Sequence, residues 1–436
     1  MMFPSDALDP LSKEEIELIA ASVREHFDNT HPAKAIRFNA IALIEPGKNS
    51  VHGVTRRSRV ILLIPADKHI FEVIVALHAD GLQHDRIRVA AVSEIPVGFQ
   101  PVITVDDCLL VEKICRESTS LQKEIALRFK DVDFSNLVCD PWSIHVAGPK
   151  EKAMCKGRRL VQAFLYIRKQ QNDNQYSHPL DIVPVVDLDS GIIADIHVPP
   201  NPPWDIAPHS HNYTDSFFKY LSKDPSALPW RNDLKPLHII QPQGPSFQVT
   251  GRTVTWADWS FHVGFNYREG VVLNRVQYAN TPILYRASLA EMAVPYGDVN
   301  DPYQRKCAFD AGDYGLGFCA NSLSFGCDCL GAIHYFDGYV NNAKGEAVLL
   351  KNAVCLHEED VGLLWKHVDY RTGHAEVRRG RRLVLSFIAT VVNYEYAFYW
   401  SFHLVKISLF KHTKNSVYLS TQLPIVLKST ILTMLL

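Results

Sequence analysis

Two stretches of this sequence place reactive side chains where chemistry is conceivable. Asp310 stands beside Ala308, Phe309 and Ala311, two residues before Gly312. An aspartate so close to a glycine is commonly a turn residue. Apolar neighbours also disfavour the charged carboxylate, which raises its pKa and makes it a stronger base. The second stretch runs from Thr390 to Trp400 and has rings at Tyr394, Tyr396, Tyr399 and Trp400. By composition it is a strand whose rings cover much of a sheet face. Cysteines supply a third group. Cys327-Asp328-Cys329 is followed by Cys355. A zinc site fits, and so does a disulfide from the cluster to Cys355 across two strands, although no second Cys-x-x-Cys or Cys/His pair stands at finger spacing. His209-Ser210-His211 is the one His-x-His pair and reads as part of a solvated linker. His403 and His412 are assigned no ligand role.

The elements around these residues follow from periodicity. Ser12 and Glu15 form a capping-box signature, and Ile16, Ile19, Ala20, Val23 and Phe27 continue at helical spacing. Strand-like runs follow at 35–44, 59–64 and 70–77. The order recurs with helices at 106–115 and 121–129, then strands at 143–146, 160–168 and 192–198, so a duplicated small α+β unit is expected. Val198-Pro-Pro-Asn-Pro-Pro-Trp204 breaks the pattern. Strands then succeed one another at 247–250, 253–256, 259–267, 271–278 and 281–285, the signature of a large antiparallel domain. The expected division is an α+β domain at 1–95, a second at 96–205, a linker at 206–236 and an antiparallel β-sandwich at 237–436, with 404–436 atypical. The basic run Arg378-Arg379-Gly380-Arg381-Arg382 reads as a solvated loop rather than a nuclear signal.

Composition narrows the class. The chain has 436 residues, 47% hydrophobic and 21% charged, with a formal net charge of −2. That balance fits a globular protein and gives no pull toward nucleic acid or an anionic membrane. No secretory signal opens the sequence, and the apolar end Ile425–Leu436 is short and interrupted by Lys428. The final Thr433-Met434-Leu435-Leu436 is not a Ser-Lys-Leu type address. An intracellular place, peroxisomal or cytoplasmic, is expected.

Read in order, the motifs resemble one family. Asn393-Tyr394-Glu395-Tyr396 is similar to the Asn-Tyr-(Asp/Glu)-Tyr consensus around the tyrosine that copper amine oxidases convert to topaquinone. Arg305–Gly317 resembles the stretch holding that family's catalytic aspartate. Gly326–Asp337 and Lys351–Asp360, with Trp259–Tyr278 and Tyr285–Gly297, also match, and the likeness runs from about Leu11 to Phe402. The resemblance is to a fungal-type copper-containing primary amine oxidase. It implies that Asp310 is the catalytic base, Tyr394 the topaquinone precursor and Tyr296 its hydrogen-bonding partner. It places Asn393 and Glu395 at the cofactor, and pairs Cys329 with Cys355. It also implies a homodimer that turns primary amines, oxygen and water into aldehyde, ammonia and hydrogen peroxide. The chemistry suits the groups, since the C–H beside an amine nitrogen is not acidic until a carbonyl cofactor accepts its electrons.

The resemblance also sets a limit. The family holds copper with three histidines beyond the quinone tyrosine, two of them as His-x-His, which on a strand puts both imidazoles on one face. No such segment follows Phe402 here, so the chain reads as C-terminally truncated, without metal ligands. A catalytically silent homologue, able to pair with a full-length subunit, is the alternative expectation; a β-sandwich binding module without chemistry would not order these motifs.

Overall fold

The computed structural model describes residues 6–404, apart from 49–54, 78–86, 97, 146–147, 171–172, 205, 207–232 and 327, and beyond them only the strands Val417–Leu419 and Leu432–Met434. His209, His211, Cys327, His412 and most of the 206–236 linker therefore lie outside the described residues.

The first unit forms as its sequence dictates. Helix α1 (Lys13–Thr30) starts at Ser12, whose hydroxyl accepts the Glu15 N–H at 3.2 Å while Glu15 accepts the Ser12 N–H at 2.9 Å. Its apolar stripe packs on a sheet of β1 (Arg37–Ile44), β2 (Arg56–Ile64), β3 (His69–Leu77) and β4 (Ile87–Glu94), paired in that order. The second unit repeats the plan. Helices α2 (Val105–Glu117) and α3 (Thr119–Arg128) precede β5 (Leu137–Ser143), β6 (Leu160–Ile167), β7 (Val183–Asp187) and β8 (Ile192–His197), again in consecutive order. The strand expected at 143–146 lies earlier, at 137–143. It carries Pro141, which is admissible because β5 is an edge strand.

The third unit is antiparallel throughout. One sheet holds β9 (Gln248–Thr250), β10 (Thr253–Trp256), β11 (Trp259–Asn266), β12 (Gly270–Tyr278) and β13 (Thr281–Ser288). A short hairpin joins β14 (Ala293–Pro295) to β15 (Cys307–Phe309). The second large sheet holds β16 (Ile333–Asn341), β17 (Ala347–Val368), β18 (Ala375–Val391) and β19 (Tyr394–His403). The two sheets stack through their rings, with Phe261 and Phe402 only 4.3 Å apart between centroids and nearly parallel. A single buried core runs from α2 and α3 into both sheets. No helix among the described residues is long and apolar enough to cross a membrane.

The run Arg378–Arg382 is a correction to the expected loop. It lies within β18, paired to Glu359–Trp365 of β17. Arg379 meets Asp360 at 2.8 Å, Arg381 meets Glu358 at 3.3 Å, and Arg382 Nε donates to Glu359 at 2.8 Å. Cross-strand charge pairing makes a strand from a segment whose composition suggests solvent. Glu358 matters most, because it is 4% exposed and also accepts from Trp256 Nε1 at 2.9 Å, Ser246 N–H at 2.8 Å and Gln241 Nε2 at 2.7 Å. Glu358→Ala would leave those donors without their acceptor. We expect it to cost about 3–5 kcal/mol, read as a lower urea midpoint.

Candidate active site

The hairpin of β14 and β15 builds one wall of the site. Pairing of Pro295 with Cys307 sets Tyr296, just past β14, beside Lys306, and the Tyr296 N–H donates to the Lys306 carbonyl at 3.3 Å. The chain leaves β15 into a helical turn, Asp310–Asp313. Glu291 caps this turn by accepting the Ala311 and Gly312 N–H groups at 3.0 and 3.3 Å, and Arg268 holds Glu291 at 3.0 Å. The Asp310 N–H donates to the Met292 carbonyl at 3.0 Å. Asp310 is thus fixed by the backbone on both sides.

The opposite wall is the β18–β19 hairpin. Val391 pairs with Tyr394 across a two-residue turn in which Val392 takes φ 57°, unusual for a β-branched residue. β17 pairs with β18 only as far as Ser386, and beyond it Cys319–Asn321 takes its place. Thr390 N–H donates to the Cys319 carbonyl at 3.0 Å, and Asn321 N–H to the Ile388 carbonyl at 2.8 Å. The segment that follows Asp310 is therefore stitched to the strand that precedes Tyr394.

This closure brings three of the expected residues together. Tyr296 Oη and Tyr394 Oη share a hydrogen bond of 2.8 Å. Tyr394 and Tyr396, two apart on β19, point to one face with ring centroids 6.0 Å apart. Tyr396 hydrogen-bonds the Asp310 carboxyl. Asp310 is 3% exposed, and its Oδ2 is buried with no hydrogen-bond partner. Burial pushes its pKa up to about 6; Asp313 and Glu291 nearby push the same way, while the Tyr396 hydrogen bond pulls it down. Burial and the Tyr394 contact raise the Tyr296 phenol.

The structure does not bring Asn393 or Glu395 into this cluster. Asn393 lies in the exposed hairpin turn, and Glu395 alternates to the exposed side of β19. Cys329 and Cys355 are joined as a disulfide. Cys355 sits on β17, two residues before His357, whose Nδ1 is 3.3 Å from its sulfur.

Tyr396 gains a role that the motif alone leaves unassigned, although its spacing from Tyr394 places both on one face. Trp142, Phe164 and Lys306 are further members that sequence reasoning missed. Trp142 meets Tyr296 edge to face at 5.4 Å. Trp142 and Phe164 come from the second α+β unit, and only the docking of that unit onto the hairpin brings them here. The His145 N–H donates to the Arg305 carbonyl at 3.0 Å, and Arg305 Nε to Gln162 Oε1 at 2.9 Å.

The residues can be tested against a quinone and a metal. A half-buried phenol gripped by a second tyrosine, beside a buried carboxylate with one unpartnered oxygen, fits a cofactor made from Tyr394. No copper-ligand set stands near Tyr394 among the described residues. Among the described residues, the one trio of ligand atoms close enough to share an ion is Cys329, Cys355 and His357, and two of those are bonded to each other.

Comparison with known proteins agrees with this layout. The family model described as "Copper amine oxidase, enzyme domain" matches residues 248–422, continuing past Phe402. The model described as "Copper amine oxidase, N3 domain" matches 106–213. A primary amine oxidase from Arthrobacter sp. (strain P1) is 39% identical over 409 residues, covering 92% of this chain and 59% of the relative. A peroxisomal primary amine oxidase from Pichia angusta is 37% identical over 402 residues, covering 90% of this chain and 56% of the relative. The crystal structure of a copper-containing benzylamine oxidase from Hansenula polymorpha superposes with TM-score 0.80 and 28% identity over 96% of this chain and 64% of that one. The chain thus spans less than two thirds of the length of the relatives it matches. By its motifs, its order of domains and its fold, the chain belongs to the copper amine oxidase family.

Proposed function

We propose that the chain carries the amine-handling site of a primary amine oxidase, which converts primary amines, oxygen and water into aldehyde, ammonia and hydrogen peroxide. The observation that carries this reading is the meeting of Tyr296 and Asp310 with Tyr394 and Tyr396, which share one face of β19. Topaquinone at position 394, when formed, supplies a carbonyl that binds the amine and accepts two electrons. Tyr296 Oη holds the ring oxygen at that position. Asp310 Oδ2, buried and unpartnered, takes the proton from the carbon beside nitrogen. Tyr396 fixes the carboxyl while the apolar surroundings keep its pKa high enough to make it an effective base.

The wider reading divides the chain at 1–95, 96–205, 206–236 and 237–436 and makes it a homodimer. The β17–β18 hairpin exposes Val361, Leu363, Leu364, Trp365 and Val368, an apolar strip that suits a second copy. The likeness to a peroxisomal relative supports an intracellular, peroxisomal place.

One observation favours a second reading, a catalytically silent homologue: the described residues supply no copper set near Tyr394. Copper titration followed by peptide mass spectrometry at residue 394 separates the two. Under the first reading, copper uptake comes with an oxidised residue 394, quinone colour, and peroxide release on addition of a primary amine, all lost in Tyr394→Phe. Under the second, residue 394 stays tyrosine in copper-treated protein. Quinone colour surviving in Tyr394→Phe contradicts both.

A further inference from the structure

Lys306 immediately precedes β15 and is half-buried. Its Nζ lies 4.3 Å from the centre of the Trp142 ring, 4.6 Å from Phe164 and 4.5 Å from Tyr296. Three aromatic faces around one ammonium make a cage for a cation, and here the protein fills it with its own side chain. Burial lowers the Lys306 pKa from the usual lysine value, and the carboxylate of Asp140 on β5 acts in the opposite direction; Tyr176 hydrogen-bonds that carboxyl. Phe164 is stacked in turn on Tyr303 at 5.9 Å, and Tyr303 on the half-exposed Trp204 at 6.3 Å, so rings run from the cage outward.

The cage and the reacting position share a residue. Tyr296 presents its ring face to Lys306 and its hydroxyl to Tyr394. A fixed positive charge therefore stands one tyrosine ring from the place where an amine nitrogen must arrive. A straight-chain amine bound with its nitrogen at Tyr394 and its tail along these rings would bring its far end to Lys306.

We propose that Lys306 is a charge filter that makes the site take monoamines with uncharged tails and reject diamines. This rests on the amine-oxidase reading of the site and names its substrate class. A tail of methylenes gains apolar contact along the rings without bringing a second charge to Lys306. A second ammonium meets a like charge in a partly shielded site, which weakens binding on the order of 10- to 100-fold at separations of several ångströms.

The test uses the full chain as isolated, titrated calorimetrically at pH 8 with n-pentylamine and 1,5-diaminopentane, which differ only in the second amino group. Wild type is expected to bind the monoamine at least about 10-fold more tightly. Lys306→Met, which keeps length and removes charge, is expected to close that gap, while Lys306→Arg keeps it. Equal affinities in the wild type overturn the filter without recourse to any variant, and so does a gap that Lys306→Met leaves intact. Asp310→Asn separates this failure from failure of the underlying reading. If Asp310→Asn weakens binding of both amines, the nitrogen sits at the proposed site and the filter alone is judged by the Lys306 variants. If it leaves both affinities unchanged, or if no amine binds, the amine-oxidase reading of the site fails and the filter with it.

Discussion

Asp310→Asn is expected to stabilise the protein at alkaline pH while removing its ability to take a proton from substrate. The folded-state pKa of this carboxyl is raised from the ordinary 3.8 to about 6, chiefly by burial. Between those values the folded chain keeps a proton that the unfolded chain has released. The contribution therefore favours folding fully below the unfolded pKa and is lost as pH rises through about 6. At pH 8 the ionised, buried group costs the fold about 1–3 kcal/mol, and a neutral amide removes that cost. The variant should melt above wild type at pH 8, and the difference should shrink toward zero near pH 4, where both side chains are neutral. In protein carrying the oxidised cofactor, the same change should slow proton abstraction about 100- to 10,000-fold, the usual worth of a positioned base. The wild-type rate should climb with pH up to about 6 and then level, as the carboxylate becomes ionised. A variant that melts lower than wild type at every pH would instead make Asp310 a structural acceptor, and would remove it from the role of base.

How much of this was legible in the sequence depends on the range over which each contact acts. Short-range signals read well. The Ser12–Glu15 box starts α1 where its spacing says, and the strands from Thr253 to Tyr278 appear within a residue of their expected limits. The alternation of a strand also explains why Tyr394 and Tyr396 share a face while Glu395 does not. Family motifs carried Asp310, Tyr296 and Tyr394, which residue types alone would leave as a turn aspartate and core rings. What stayed hidden depends on distant partners. Arg378–Arg382 looks solvated until β17 is laid beside it with Glu358, Glu359 and Asp360. Trp142 and Lys306 stand 164 residues apart in number, and neither carries a local sign of the other; only docking of the second α+β unit on the β14–β15 hairpin makes them neighbours.

Gly317→Ala should be among the most damaging single changes in the chain. A Cβ at this position would lie 1.9 Å from the Asn266 carbonyl oxygen and 2.9 Å from the Tyr267 carbonyl carbon, both backbone atoms that cannot swing aside. The approach is close because Leu316 N–H donates to the Arg268 carbonyl and Phe318 N–H to the Tyr267 carbonyl, each at 2.9 Å, so the segment after Asp310 lies flat on the β11–β12 turn. Displacing it breaks those two bonds and shifts Arg268. Arg268 holds Glu291, and Glu291 caps the helical turn that begins at Asp310. The expected loss is about 3 kcal/mol or more, measured as a lower urea midpoint, with weaker amine binding in whatever fraction remains folded. Gly297→Ala is the matched control. Gly297 directly follows Tyr296, yet a Cβ there would meet nothing within 4 Å. It should shift stability by less than about 0.5 kcal/mol. If both variants behave alike, the close stacking of residues 315–318 on the β11–β12 turn does not position the base. If only Gly317→Ala collapses, that stacking joins the first sheet of the sandwich to the carboxyl at 310, and the backbone rather than the side chains sets where the proton is taken.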